Sequence, residues 1–193
     1  MIHDYASLKY HVNKHFLFNC FNTLSSLISE DRQRAEAFLN DLSKVYRYVF
    51  QCREDSISTV ANEILFINSY YALLQTRHGS AVQFRFRVEK LYEPFLLPAL
   101  SLQLLVENVL KHNILSKTKP LTIEIFATAG NKLIVSNNLQ RRCMTCPATG
   151  VGLDSIAAKY EQLKIPGFLV REDEKNFTVE LPLIPNCSNE NKQ

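Results

Sequence analysis

The first 78 residues of this 193-residue chain contain neither glycine nor proline; the earliest of each are Gly79 and Pro94. Without the two residues that most often punctuate a backbone, such a stretch is constrained to long helices joined by minimal turns. Within it, LKYHVNKHFLFNCFNTLSSLIS (Leu8 to Ser29) sets Phe16, Leu17, Cys20, Phe21, Leu24, Leu27 and Ile28 on one broad apolar arc of a helix. His11, His15, Asn19, Asn22, Ser26 and Ser29 recur every three or four positions and form a narrow stripe on the opposite side. The imidazole of His15 therefore faces outward among apolar neighbours, with Asn19 one turn on, as a group presented for chemistry or for a ligand.

After a turn at Glu30-Asp31, Ala35, Phe38, Leu39, Leu42, Val45, Tyr46 and Val49 repeat the helical spacing. The two segments predict a helical hairpin over residues 1–54. Two helices with wide apolar faces cannot bury them alone, and pairing with a second copy into a four-helix bundle is the simple solution, so a homodimer is expected.

From Ser56 the pattern changes. A short IST strand and a helix from about Ala61 to His78 precede VQFRFRVE (Val82 to Glu89), which alternates at period two as a half-buried strand does. A helix from about Pro98 to Leu115 follows, with proline in its first turn. Next come strands LTIEIFATA and KLIVSN around a Gly130-Asn131 turn, then FLVRED and FTVELPLI around Lys175-Asn176. The expected fold class is α+β: the hairpin, then over residues 55–186 an α/β sandwich with a mixed sheet and its helices on one face. Residues 187–193, in the polar NCSNENKQ ending, are expected to be disordered.

Composition narrows the function. A net charge of +3 without a block of like charges argues against nucleic acid as a partner. No run approaches the roughly 20 apolar residues of a spanning helix, and no leader pattern opens the chain, so this part is expected to be cytoplasmic. Five cysteines, an odd number, argue against a disulfide framework. Cys143 and Cys146 have a metal-like spacing but lack two further ligands, and free thiols in a loop are the reading for them.

Two segments carry chemistry. In LQLLVENVLKHN, Glu107, Asn108, Lys111 and His112 share one arc of the Pro98 helix. An asparagine oxygen there can hold Mg²⁺, a carboxylate can accept a proton, and a lysine can meet phosphate charge; a solvated helix face is the plain alternative. TGVGLDSI (Thr149 to Ile156) puts Gly150 and Gly152 at a helix start, where backbone N–H groups can approach phosphate.

With these segments in order, HFLFNCFNTL resembles the phosphoacceptor segment of the LytS-type sensor histidine kinases, in which a proline usually stands where this chain has Lys14. EILFINSYYALLQTRHG resembles that family's stretch with glutamate, tyrosine and arginine seven apart, here Glu63, Tyr70 and Arg77. LPALSLQLLVENVLKHNI resembles its N-box, and TGVGLDSIAAKYEQL its glycine box. The resemblance implies a dimerising hairpin presenting His15, with Asn19 beside it, and a Bergerat-type ATP-binding sandwich. In that sandwich Asn108 would ligate Mg²⁺, Glu107 would sit by the γ-phosphate, and Lys111 and His112 would line the phosphate end. Gly150 and Gly152 would hinge a lid over ATP, and Leu153 beside them would bind the nucleotide. Asn137 stands where the family has an adenine-reading aspartate, followed by Asn138. An asparagine can turn its amide either way, so weaker adenine selectivity is expected.

The function these expectations compose is autophosphorylation on His15 and phosphotransfer to a response regulator. The chain would be a cytoplasmic fragment of an inner-membrane protein, whose membrane contact lies in upstream segments. A catalytically weak dimeric relay is the main alternative, and an ATPase without phosphohistidine the lesser one.

Overall fold

The structure, a computed structural model, describes residues 14–52, 57–142 and 151–186. His11, Cys143, Cys146, Gly150 and the tail over 187–193 lie outside the described residues. The hairpin is α1 (Lys14–Glu30) and α2 (Arg32–Gln51), divided where the sequence places its turn. Asp31 accepts from the Arg34 amide at 3.0 Å and caps α2, satisfying one of the N–H groups that a helix start leaves without a partner.

Behind the hairpin come β1 (Ile57–Thr59), α3 (Val60–His78), β2 (Val82–Arg87), β3 (Leu96–Pro98) and α4 (Ser101–His112). The chain continues with β4 (Leu121–Thr128), β5 (Lys132–Asn138), α5 (Val151–Gln162), β6 (Leu169–Glu172) and β7 (Asn176–Pro182). The main sheet has the order β2-β4-β5-β7-β6, in which only β2 and β4 run parallel, so it is mixed. The turn between β4 and β5 has Gly130 at φ 89° and Asn131 at φ 56°, the left-handed region in which these two residue types are tolerated. The architecture is α+β.

One face of the sheet is sealed. Ile123 and Ile125 of β4, Leu133 and Val135 of β5, and Val179 and Leu181 of β7 are buried in the core, which also takes in side chains of α3, α4 and α5. Glu124, Ser136 and Thr178 alternate with them, remaining only partly buried, and Glu124 bonds Arg85 and Arg87 of the edge strand.

Two differences from the sequence expectation bear on the site. LLP, three residues ending in proline, is strand β3, paired antiparallel with β1. As Pro98 belongs to that strand, the helix starts at Ser101 rather than at Pro98, and it stops at His112 rather than Leu115. It stops because Asn113 turns extended and bridges to Arg141.

The hairpin is only half covered. Phe16, Cys20 and Leu27 of α1 and Phe38, Leu42, Val45 and Val49 of α2 are buried. Phe21 and Ile28, which belong to the same apolar arc by periodicity, are exposed, as are Phe18, Leu39 and Phe50. The cover comes from α3, on which α2 packs lengthwise.

Candidate active site

Helix α4 carries most of the candidate residues, and its start is built in an unusual way. Leu100, the residue before it, is left-handed at φ 65°, a conformation that costs a branched side chain about 1–2 kcal/mol. The turn it makes aims two amides, one on each side of Ser101, at one carboxylate: Leu100 N and Leu102 N donate to Glu63 of α3 at 2.8 and 3.1 Å. Glu63 is fully buried, and Tyr48 of α2 gives it a third donor at 2.6 Å, while Tyr48 itself bonds Ser58. Burial pushes the Glu63 carboxyl up from the ordinary range, and the three donors oppose that rise.

Further along α4, the Glu107 carboxylate accepts from Gln103 Nε2 at 2.8 Å and from the Tyr70 hydroxyl of α3 at 3.5 Å. Tyr70 is stacked on Phe16, the residue after His15, at 4.7 Å between ring centres. Glu107 therefore looks toward α3 and the hairpin. Asn108 is half-buried, and its amide has no hydrogen-bond partner among the described residues. Lys111 is exposed. His112 is half-buried, and desolvation, then the neighbouring Lys111 charge, hold its pKa below the ordinary histidine value.

His15 is exposed, as its stripe predicts, and the Asn19 amide nitrogen lies 3.1 Å from its Nδ1, steadying the ring from one turn away. Gly152 opens α5 against α4: a Cβ there would lie 3.7 Å from Leu104 O, one turn before Asn108. Leu153 packs partly on the core.

Asn137 lies on the sheet face turned to the helices, in a row with Phe84, Ile123 and Phe177, and is buried. Its Nδ2 donates to Asn138 O at 2.8 Å. Only an N–H can face a carbonyl, so this bond sets the amide one way and turns Oδ1 away from Asn138. Both ends of the Asn138 amide are engaged, with Thr122 N at 2.7 Å and Pro120 O at 3.1 Å.

Sequence reasoning missed Asn113. It is buried, accepts from Gln140 N at 2.7 Å, donates to Val109 O at 2.9 Å, and through its own carbonyl holds Arg142 at 2.8 Å. It pins the segment leaving β5 to the end of α4. An asparagine directly after the last helical histidine was the signal, since such a side chain can serve its own helix terminus.

A family model described as histidine kinase matches residues 3–82. Sensor protein LytS of Staphylococcus haemolyticus is 31% identical over 67% of this chain and 22% of its own length. That of Enterococcus faecalis is 35% identical over 56% of this chain and 18% of its own. The chain belongs to the LytS-type histidine kinase family. It spans about a fifth of the length of these LytS relatives. Among solved structures, full-length ShkA in complex with AMPPNP has a TM-score of 0.46 at 15% identity, covering 81% of this chain and 40% of that one.

In the LytS-type setting the donor set can be tested against a metal. Among the described residues no three acidic, histidine or cysteine side chains gather to hold one. The amide of Asn108, without a hydrogen-bond partner among the described residues, suits an ion that brings its remaining oxygens with it on a phosphate chain. No described helix is long and apolar enough to cross a membrane.

Proposed function

We propose that this chain is the catalytic core of a two-component sensor kinase that transfers the γ-phosphoryl group of ATP to His15 and then to an aspartate of a response regulator. The observation that carries this reading is the continuity from His15 to the polar helix. Exposed His15 is followed by buried Phe16, Phe16 stacks on Tyr70, and Tyr70 reaches Glu107. The division of labour is a hairpin over 1–54 for dimerisation and phosphotransfer and a sandwich over 55–186 for ATP.

In the transfer, an imidazole nitrogen of His15 attacks the γ-phosphorus, the bond to the β–γ bridging oxygen breaks, ADP leaves, and the ring proton passes to Glu107. Phosphoryl transfer asks mainly for positioning and charge neutralisation. Asn19 orients the imidazole, and Lys111 meets the phosphate charge. His112, its pKa lowered first by desolvation and then by the Lys111 charge, lines the phosphate end beside it. The amide oxygen of Asn108 would hold Mg²⁺, which supplies neutralisation of the leaving diphosphate. Backbone N–H groups around Gly150 and Gly152 receive phosphate at the start of α5, with Leu153 anchoring that helix to the core. Asn137 offers its Oδ1 to the adenine amino group, and Asn138 braces it from behind. Membrane attachment of the whole protein belongs to segments outside this chain.

Incubation with γ-labelled ATP and Mg²⁺ tests the reading. Label that resists base, is lost in acid and is absent from His15→Gln is the expected result. Equal labelling of that variant removes His15 from the mechanism.

A further inference from the structure

The residues seven apart on α3, Glu63 and Tyr70, fall on one stripe of that helix and have no part in the chemistry above. Each makes the same kind of double contact. Glu63 takes the hydroxyl of Tyr48 from the hairpin on one side and two amides at the start of α4 on the other. Tyr70 takes the ring of Phe16 from the hairpin and gives its hydroxyl to Glu107 in the body of α4. Between them Phe66 continues the ring contacts, 4.8 Å from Tyr48 and 6.1 Å from Tyr70. Both α1 and α2 are thus joined to α4 through one stripe of α3, at two points a helical segment apart.

We propose that Glu63 and Tyr70 are positioning residues that couple the hairpin to the phosphate-end helix, so that movement of α1 or α2 is felt as a change in the start of α4 and in the aim of Glu107. The functional sense of this coupling rests on the kinase reading, whereas its mechanical part stands on the contacts alone. Two contacts define an orientation where one would leave a pivot. The left-handed Leu100 makes the first contact sensitive, because the Glu63 carboxylate receives the Leu100 and Leu102 amides on both sides of the strained turn. A carboxylate bound by two amides and a hydroxyl has three directional bonds in a buried site, so displacing Tyr48 alters the other two.

The variant that isolates the coupling is Tyr48→Phe, which keeps the stacking on Phe66 and deletes only the hydroxyl, on a helix that does not supply α4. Amide hydrogen exchange of the full chain is the readout. The Leu100 and Leu102 amides are expected to exchange faster by roughly tenfold, the weight of one hydrogen bond to a charged group, while Ile123 and Val135 in the sheet keep the parent rate. Lys44→Ala, on the exposed side of the same helix, leaves all four unchanged. Rates at Leu100 and Leu102 equal to the parent overturn the proposal, and so does a uniform rise that includes the sheet, which is mere loss of stability. If Tyr48→Phe does not fold, Tyr70→Phe carries the test, because its hydroxyl bond is long and both its ring contacts persist. Its expected signature is a labelling kcat down several-fold with KM for ATP within about twofold and faster exchange around Glu107. No change in either measure overturns the proposal. Exchange that behaves as expected in a parent that takes no label leaves the coupling standing and removes the kinase reading instead.

Discussion

The sandwich and the hairpin treat the same kind of residue in opposite ways. Along β4 and β5 every second side chain is apolar, and Ile123, Ile125, Leu133 and Val135 all end beneath helices of the same chain. Along α1 and α2 the apolar positions are as regular, yet Phe18 and Ile28 keep 67% and 66% of their surface exposed while Cys20 and Leu27 keep 4% each. The sandwich closes on itself. The hairpin gives one side to α3, and on the other Phe21, Leu39 and Phe50 are exposed among the described residues. Exposed apolar patches of this kind mark candidate interaction sites, and the proposed homodimer would seat a second copy on this one.

A charge placed on each side sharpens the contrast most. Ile123→Asp puts an unpaired carboxylate in the sealed face and is expected to unfold the sandwich, a loss of more than about 4 kcal/mol readable as the disappearance of a cooperative melting transition. Phe18→Asp should change the melting of the isolated fold by less than about 0.5 kcal/mol and instead shift the sedimenting species from dimer to monomer. A dimer that survives Phe18→Asp joined with Phe21→Asp breaks the comparison, because the open face would then have another purpose.

The same contrast explains what could be read from the chain alone. Helix α1 stops at Glu30, helix α3 runs to His78, and β2, β4 and β7 lie where the alternation places them, because each is specified by local periodicity. The start of α4 was not local. Pro98 looks like a helix opener, but pairing with Ile57 makes it a strand residue, and the real cap is a carboxylate from Glu63, 37 positions earlier. Glu63 and Tyr70 stood out by their spacing and by family resemblance without disclosing a task, since the task is defined by partners from three separate helices. The polar stripe of α1 was legible down to exposed His15, but which half of the apolar arc finds cover depends on where α3 lies.

Acid should divide the two regions next. His78 at the end of α3 and His112 at the end of α4 both have pKa values below the ordinary one, held there first by desolvation and then by neighbouring Arg77 and Lys111 respectively. In the unfolded chain each takes up a proton as soon as pH falls through the ordinary histidine range, and in the folded chain each does so later. The stability they contribute is therefore present above that range and is lost as pH falls toward the folded values. The melting temperature of the sandwich is expected to drop by a few degrees from neutral to about pH 5.5, and the joint His78→Gln and His112→Gln variant should flatten that slope. A parent curve that is flat over this window contradicts the lowered pKa of both imidazoles in the fold.

The smallest effect is expected where the sequence seemed to promise a larger one. Replacing Asn137 by aspartate would ordinarily exchange a neutral acceptor for a charged one, worth on the order of 1 kcal/mol toward an adenine amino group. The structure sets a cost against that gain. The Nδ2 that aspartate lacks is the group facing Asn138 O at 2.8 Å, so Asn137→Asp brings two oxygens together in a buried place or forces the side chain to turn. With the amide of the parent already set to present Oδ1, the residue is an acceptor toward the base in either form, and an acceptor repels the guanine oxygen as it attracts the adenine amino group. ATP affinity is therefore expected to differ by less than about threefold between parent and Asn137→Asp, with GTP weaker for both. Paired titrations of the two nucleotides decide it: a parent that binds GTP as tightly as ATP means that the amide turns in spite of Asn138, and the asparagine then reads either base.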